Sequence, residues 1–298
     1  MIAQRTAVRR ARALPELIGD YLSLLKLRIV SLLVATSVGA MLPAAHGFPK
    51  LTVLLAVIMG GTYAAGGAHA INCWFDRDID AQMARTRGRP IPDGRIPAWH
   101  ALALGILLNA GAFLVLAWLA NLAAAVLALS GTLIYVFVYT IWLKRSTPQN
   151  IVIGGAAGAI PPMVGWAAVT GGVDLTAVSL FLVIFFWTPP HFWALAQIIS
   201  KDYEAAHIPM LPIVSGARAT KWQSLGYSFL TLLASVIPFF THAAGVVYLA
   251  GAGLLGGGLV AAAALDLGRR GWTRRLFAYS LIYMSAIFAL LAVSPFVP

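Results

Sequence analysis

The chain has 298 residues, of which 60% are hydrophobic and only 10% are charged, so it is too apolar for a water-soluble domain. Basic residues outnumber acidic ones, 21 against 10, and the net charge is +11. A single cysteine excludes an internal disulfide framework and any metal or iron–sulfur centre built from cysteines.

Nine apolar segments follow one another along the chain, each close to the ~20 residues that a helix needs to cross a bilayer. They are continuous runs rich in Leu, Ala and Gly rather than short alternating stretches, which disfavours a β-barrel. We therefore predict an all-α polytopic membrane protein with spans at residues 22–42, 51–71, 98–118, 121–141, 150–170, 176–199, 224–242, 245–265 and 276–296.

The basic residues predict the orientation of these spans. All 21 except Lys50 lie in the N-terminal tail, at the entry of the first span or in every second connection, so the positive-inside rule places those regions in the cytoplasm and the C-terminus outside. Residues 1–21 are predicted to be a retained cytoplasmic tail, and residues 22–298 a single transmembrane domain. Anionic lipid headgroups and a phosphate-bearing substrate account for the net charge, so we predict the lipid bilayer as a partner and no nucleic acid.

The connection after the second span, NCWFDRDIDAQMARTRGRPIP, is the most polar stretch of the chain. Asn72, Asp76 and Asp80 are four residues apart and drift only ~80° around a helix, so they can share one face and hold one metal ion. Oxygen ligands followed by Arg85, Arg87 and Arg89 suit Mg²⁺ and the phosphates that it bridges. The pattern predicts a magnesium–diphosphate site at the membrane border.

Asp78 belongs to the same stretch but lies ~200° around the helix from Asp76. We therefore leave it out of the metal site and expect it to meet Arg77, Arg85 or solvent.

A second polar group follows the sixth span and contains Lys201 and Asp202. If the chain carried a four-span repeat, Asp202 would lie at a helix end equivalent to that of Asp80 and complete the metal site. The alternative is a surface ion pair between these neighbours, which contributes little energy. Between the two groups, Lys144 and Arg145 could bind phosphate or anchor a helix to headgroups.

Pro189, Pro190 and His191 occur within the sixth span. We expect the prolines to interrupt and kink this helix. An intramembrane histidine is a candidate functional residue, available for iron ligation or proton transfer, although it could instead bond to a carbonyl freed by the prolines.

A metal-bound diphosphate beside a large apolar bundle is typical of prenyl transfer, in which cations stabilise the departing diphosphate. A transporter or channel with a gate at the histidine and prolines is the alternative class. Transporters place ionisable groups near the membrane midplane, whereas here these groups collect at one face, which favours an enzyme.

The Asn72, Asp76 and Asp80 motif, NxxxD followed by xxxD, resembles the UbiA-type intramembrane prenyltransferases. The stretches NCWFDRDIDAQMARTRGRPIP, YTIWLKRSTPQNIVIGGAAGAIPPMVGW and FFWTPPHFWALAQIISKDYEAAHIPMLPIV are similar to the branch that farnesylates haem, and the similarity covers nearly the whole chain. The resemblance implies nine helices in the cell inner membrane, Mg²⁺ as cofactor, and transfer of farnesyl from farnesyl diphosphate to a vinyl group of haem B with addition of water. The product would be haem O, the substrate of a haem A synthase, which is a possible partner.

Residue roles follow from the same resemblance. It implies that Mg²⁺–diphosphate is held by four residues, Asn72, Asp76, Asp80 and Asp202. It assigns diphosphate contacts to Arg85, Lys144 and Lys201. We add Arg89 and Arg145 to this diphosphate-binding set, and His191 is our candidate for haem binding.

The segment KDYEAAHIP departs from the wider family, because Ala206 stands where a later acid is expected. This departure favours the haem branch over enzymes that prenylate an aromatic ring such as 4-hydroxybenzoate, which remain the alternative. His207 also stands where a glycine is expected.

Overall fold

A computed structural model describes residues 14–297, and most of this part of the chain is helical. Within it, nine helical segments are long and apolar enough to span a membrane, which confirms the predicted number and fold class. Residues 1–13, which make up most of the predicted tail, lie outside the described part. The helices, in chain order, are α1 (Leu14–Leu24), α2 (Leu27–Ala44), α3 (Leu51–Phe75), α4 (Arg77–Gln82), α5 (Ala98–Leu119), α6 (Leu122–Leu133), a π-helix (Ile134–Leu143), α7 (Lys144–Ser146), α8 (Asn150–Thr170), α9 (Leu175–Ile198), α10 (Ser200–Ala205), α11 (Leu211–Val214), α12 (Gly216–Phe240), α13 (Val246–Gly268), α14 (Trp272–Val293) and a closing 3₁₀ turn (Ser294–Phe296).

Several helix ends differ from the prediction. The first span begins at Leu27 rather than residue 22, because Lys26 has a left-handed backbone (φ 52°) that separates it from α1. The seventh span begins at Gly216, eight residues before the predicted 224, since its polar first turns stay helical outside the apolar region. Hydropathy detects the apolar part of a helix and not its polar extension.

The sixth span, α9, runs without a break through Pro189 and Pro190, so the expected interruption is wrong. Prolines are tolerated within membrane helices when neighbouring helices and hydroxyl groups satisfy the backbone that they disturb. The prolines leave the Phe185 and Phe186 carbonyls without an amide partner, and the Thr188 hydroxyl makes its hydrogen bond one residue earlier, to the Ile184 carbonyl (2.7 Å).

The central helices are α8 and α9, which are the most buried of the spans. One apolar core joins α8 and α9 to α12, α13 and α14, and a second joins α2, α3, α5, α6 and α8. Small residues allow the central contacts: a Cβ atom at Gly165 of α8 would lie 1.9 Å from the backbone oxygen of Ser37 in α2. Large apolar side chains on the outer helices, such as Trp118 and Leu254, are exposed, as expected for a surface that faces lipid.

One end of the bundle collects the charged residues. We call it the basic end and define it by residues 14–26, 76–97, 144–149, 199–215 and 269–271. Because successive spans alternate in direction, these segments all lie on one side, and among the described residues every Lys and Arg except Lys50 is in them or in the adjoining helical turns. A third apolar cluster at this end links α4 to the segment around α10 and α11, since Ile79 and Met83 pack with Trp193, Ile208 and Met210. The two polar groups predicted from the sequence are therefore neighbours.

Candidate active site

Asn72, Asp76 and Asp80 are buried at the junction of α3 and α4, with 4%, 1% and 4% exposure. α3 ends at Phe75 and α4 begins at Arg77, yet helical hydrogen bonds continue across the junction. The Asp76 amide donates to the Asn72 carbonyl (2.9 Å), and the Asp80 amide donates to the Asp76 carbonyl (2.8 Å). The three side chains are thus presented at successive helical turns.

Basic side chains surround this buried group. Asp76 Oδ2 accepts hydrogen bonds from Asn72 Nδ2 (2.7 Å) and from the amine of Lys144. Asp80 Oδ2 pairs with Arg89 Nη1 at 2.7 Å. Lys26 Nζ donates to Asn72 Oδ1 at 3.1 Å. Burial is the main cause that lowers the pKa of Lys26, and the neighbouring charges of Arg89 and Lys144 lower it further.

The π-helix brings a second row of residues against α3. Residues Tyr135 to Thr140 of the π-helix lie beside residues His69 to Asn72 of α3. His69 Nδ1 is 3.2 Å from the Tyr135 hydroxyl, and Asn72 Nδ2 donates to Thr140 Oγ1 (3.1 Å). Lys144 follows one turn later and reaches Asp76. π-Helices are rare and frequently occur at functional sites, where they change which residues face a neighbour. Here the π-helix aligns three contacts along one helix pair.

Asp78 points away from this group, as its helical position predicts. Its side chain is 56% exposed and forms two hydrogen bonds with Arg145, at 2.7 and 2.8 Å. The Arg145 hydrogen bonds hold the pKa of the Asp78 carboxyl below its usual value. Arg145 Nη2 also lies 3.5 Å from Asp76 Oδ1, so this predicted phosphate-binding residue pairs with both the exposed Asp78 and the buried Asp76.

The donor set at this junction fits a magnesium ion. Asp76 Oδ1 is buried and accepts no hydrogen bond from the described residues, and Arg145, 3.5 Å away, would share this oxygen with a bound metal ion or give way to it. Within residues 14–297, no three His, Cys, Asp or Glu side chains form a ready-made metal cage. Mg²⁺ is usually held by one or two carboxylates together with water and substrate phosphates, which suits a pair such as Asp76 and Asp80.

The second polar group lies on the short helix α10. Lys201 is exposed and Asp202 is partly buried, and the structure shows no ion pair for either among residues 14–297. Tyr203 joins this segment to the first group: burial raises the pKa of its hydroxyl, the nearby Tyr139 raises it further, and the charges of Arg85 and Lys144 act in the opposite direction. The structure thus brings α10 beside the first acidic group without bonding Asp202 to it.

Four arginines line a cavity of about 520 Å³ at the basic end, beside residues Asp20 and Ser23 of α1; they are Arg85, Arg87, Arg89 and Arg95. Arg85 and Arg87 are exposed, whereas Arg89 is bound to Asp80 and Arg95 to Asp20. The cations near Asp76 and Asp80 outnumber the carboxylates, so the site favours an anion with several negative charges. This charge balance agrees with a diphosphate.

His191 lies deeper in the bundle, on α9. It is 8% exposed, and its Nδ1 atom is 2.8 Å from the Ser280 hydroxyl of α14. Among the described residues, His191 bonds to this side chain and not to a backbone carbonyl, which was the alternative considered for it.

Sequence reasoning missed three residues that the structure places at these sites: Lys26, Thr140 and Ser280. Lys26 is a charged residue directly before the first span, and this position in the sequence could have suggested that its long side chain contacts the polar group. Thr140 depends on the π-helix, and Ser280 depends on the contact between α9 and α14, so neither is visible in the chain's local pattern.

Comparison with known proteins agrees with this description. The sequence profile of the UbiA prenyltransferase family matches residues 32–287. The protoheme IX farnesyltransferase of Roseiflexus sp. (strain RS-1) is 51% identical over 94% of this chain and 53% of the relative, so the chain spans about half the length of that protein. The protoheme IX farnesyltransferase of Symbiobacterium thermophilum is also 51% identical, over 92% of this chain and 93% of the relative.

Two solved structures have a similar fold. That of a digeranylgeranylglyceryl phosphate synthase superposes with a TM-score of 0.78 at 19% identity and covers 94% of this chain and 99% of the other. A UbiA homologue from Archaeoglobus fulgidus, bound to DMAPP and Mg²⁺, gives a TM-score of 0.66 at 16% identity and covers 92% and 99%. At these identities the likeness shows the fold.

Proposed function

Because this chain belongs to the UbiA prenyltransferase family, we propose that it transfers a farnesyl group from farnesyl diphosphate to a vinyl group of haem B. Water adds in the same reaction, and the products are haem O and diphosphate. The observation that carries the proposal is the identity of about half of the residues, over nearly the whole chain, with relatives named protoheme IX farnesyltransferase. The buried acids with their ring of cations supply the matching chemistry.

In this proposal Asn72, Asp76, Asp80 and Asp202 hold Mg²⁺. Bound there, the ion would neutralise charge on the diphosphate and so favour cleavage of the allylic C–O bond. The Asn72 amide holds Asp76 in place through its Nδ2 hydrogen bond, which leaves Asp76 Oδ1 for the cation. Asp202 approaches from α10, whose segment packs against α4.

Basic side chains bind the leaving group. Lys144 and Arg89 already reach the acids, and Arg85 and Lys201 project from the two adjoining segments; all four can donate charge-assisted hydrogen bonds to diphosphate oxygens. Arg145 would move from Asp78 toward the same oxygens. The electron pair of the broken C–O bond leaves with the diphosphate.

Tyr135 and Tyr139 protect the allyl cation. Their rings are stacked with centroids 5.5 Å apart and lie on the π-helix next to Asn72 and Asp76. Aromatic faces attract cations and exclude water from them. The vinyl carbon of haem then bonds to the farnesyl carbon, and water adds to the resulting cation beside the macrocycle and loses a proton.

The chain is a multi-pass membrane protein. We place residues 22–298, as one prenyltransferase domain, in the cell inner membrane, with the basic end in the cytoplasm and the C-terminus outside. Haem B and farnesyl diphosphate would enter from the membrane, and a haem A synthase would consume the product.

The test is to incubate the purified protein in detergent with haem B, farnesyl diphosphate and Mg²⁺, and to follow haem by mass spectrometry. We expect haem to gain the mass of a farnesyl group and a hydroxyl group, and chelation of Mg²⁺ to abolish the gain. If no haem product forms but diphosphate is released with a phenolic acceptor, the acceptor assignment is wrong.

Asp76→Asn and Asp80→Asn should lower the rate at least about 100-fold, because each removes a buried negative charge that stabilises the cation. Asp78→Asn is the matched control, since this acid belongs to the same turn but faces solvent, and we expect only a few-fold change. Equal losses in all three variants would contradict the metal assignment.

A further inference from the structure

His191 is held in one orientation by the rings on both of its faces. Its imidazole stacks on Trp187 of the same helix, with centroids 4.3 Å apart and planes at 16°, and on Phe277 of α14 at 4.8 Å and 22°. A ring enclosed in this way cannot rotate out of its own plane without displacing an aromatic neighbour. Its edge therefore faces a fixed direction.

The Ser280 hydroxyl determines which nitrogen of His191 carries the proton. Ser280 Oγ donates its only hydrogen to the Phe277 carbonyl at 2.6 Å, so it can only accept at the 2.8 Å contact with His191 Nδ1. Nδ1 must then be protonated. In a neutral imidazole the lone pair is consequently on Nε2.

Ser280 is itself fixed in the helix contact. It is fully buried, and its backbone carbonyl accepts a hydrogen bond from Trp187 Nε1 (2.8 Å). The same two residues, Trp187 and Ser280, thus hold the imidazole by stacking and by hydrogen bonding. Within the described part of the chain, Nε2 makes no hydrogen bond, and residue His191 as a whole is 8% exposed.

We infer that Ser280 is a positioning residue, which presents the unprotonated Nε2 of His191 as an axial ligand to the iron of the haem substrate. The inference rests on the proposed function, which makes haem the acceptor. An imidazole whose other nitrogen donates to a fixed acceptor is the usual arrangement of a metal-binding histidine. His191 lies seven residues before the end of α9, about 10 Å inside the bundle, so haem would sit on the apolar side of the diphosphate.

The inference is tested by adding ferric haem to the purified protein and recording its absorption and electron paramagnetic resonance spectra. We expect the wild-type protein to give an imidazole-ligated spectrum, which His191→Gly loses and added imidazole restores. Ser280→Ala should weaken haem binding about tenfold, the effect of one lost hydrogen bond, whereas Ser280→Thr should restore it. Ser228→Ala, which removes another buried helix hydroxyl, is the control.

A second measurement starts from His191→Gly, in which Ser280 is intact, and uses a Ser280 variant only as its control. In His191→Gly, imidazole can donate its N–H to Ser280 Oγ, whereas 1-methylimidazole binds iron without such a donor. We expect imidazole to rescue at about tenfold lower concentration. The preference for imidazole over 1-methylimidazole should disappear in the His191→Gly, Ser280→Ala double variant. A preference that persists there would come from the size of the methyl group and not from the hydrogen bond to Ser280.

The outcomes separate this inference from the proposed function. If the wild-type protein farnesylates haem and both His191→Gly and Ser280→Ala leave the spectra unchanged, the axial-ligand role is wrong and the activity stands. If both bases rescue equally, the positioning role of Ser280 is wrong. If the wild-type protein neither binds nor farnesylates haem, the proposed function itself fails.

Discussion

Lys26 joins the entrance of the first span to the acidic group of the second. Its backbone is left-handed (φ 52°), a conformation that costs a residue with a Cβ atom about 1–2 kcal/mol. Its amine donates to Asn72 Oδ1, and Asn72 in turn holds Asp76. A strained residue at a site persists when the surrounding contacts compensate for the strain, so this conformation indicates a role for the amine.

Lys26→Gln should therefore weaken binding of the prenyl donor. The variant loses a charged hydrogen bond, an effect of about 1.5–3 kcal/mol, which corresponds to a rise of roughly 10- to 100-fold in KM for farnesyl diphosphate. Steady-state diphosphate release measures this change. Lys50→Gln, at the opposite end of the bundle, is the control, and equal KM values in the two variants would exclude a donor contact at Lys26.

At the scale of single residues, motif spacing predicted which side chains of the first polar loop are buried. It separated Asp78 from Asp76 and Asp80, because a helical period of 3.6 residues turns position 78 outward. It could not predict that Arg145 is the partner of Asp78, since that contact joins residues 67 positions apart. The assigned roles of these residues in binding metal and diphosphate stay predictions.

At the scale of helices, the fourth span contains a π-helix, which a hydropathy pattern cannot predict. Its length and apolar character were predicted, but most of its second half, Ile134–Leu143, is a π-helix that changes the phase between Tyr135 and Thr140. An extra residue per turn leaves the composition unchanged, so only packing reveals it. The small residues of the run GGAAGA in the fifth span allow close helix packing, because Gly154 in this run lies directly against the Tyr139 ring.

Gly154→Ala should impair the reaction through Tyr139. A Cβ atom at this position would lie 2.3 Å from Tyr139 Cδ2, so the ring must move away from its place beside the acids. We expect a fall in kcat of about tenfold with a smaller change in KM, because the ring acts on the allyl cation rather than on the bound diphosphate. Single-turnover measurements of haem farnesylation report the effect.

Gly158→Ala is the matched control on the same helix, where an added Cβ meets nothing within 4 Å. It should keep wild-type kinetics. A similar loss in both alanine variants would point to helix flexibility instead of the Tyr139 contact.

At the scale of the whole molecule, composition and charge predicted the class of protein and the number of spans, both of which are confirmed. Nine segments and the separation of basic residues can be read from the chain because both are imposed by the bilayer rather than by detailed packing. The third apolar cluster could not be read in this way. It brings together Ile79 of α4, in the connection after the second span, and Trp193 of the sixth span, which are far apart in the chain.

The orientation in the membrane can be measured with single cysteines, because Cys73 is the chain's only cysteine and is buried. In a Cys73→Ser background, Phe48→Cys and Arg270→Cys place thiols on exposed residues at opposite ends. A membrane-impermeant maleimide should label position 48 in intact cells and position 270 only in inverted vesicles. The reverse pattern would overturn the proposed orientation.

Three exposed histidines, His46, His207 and His242, have left-handed backbones at the ends of α2, α10 and α12. This explains the glycine expected at position 207, since glycine adopts this conformation without a steric penalty. His46→Gly and His242→Gly, remote from the basic end, should each raise the free energy of unfolding by up to about 1 kcal/mol. Thermal unfolding in detergent should show the gain with unchanged turnover. The loops at His46 and His242 are therefore positions where the protein can be made more heat-resistant without changing its catalytic end.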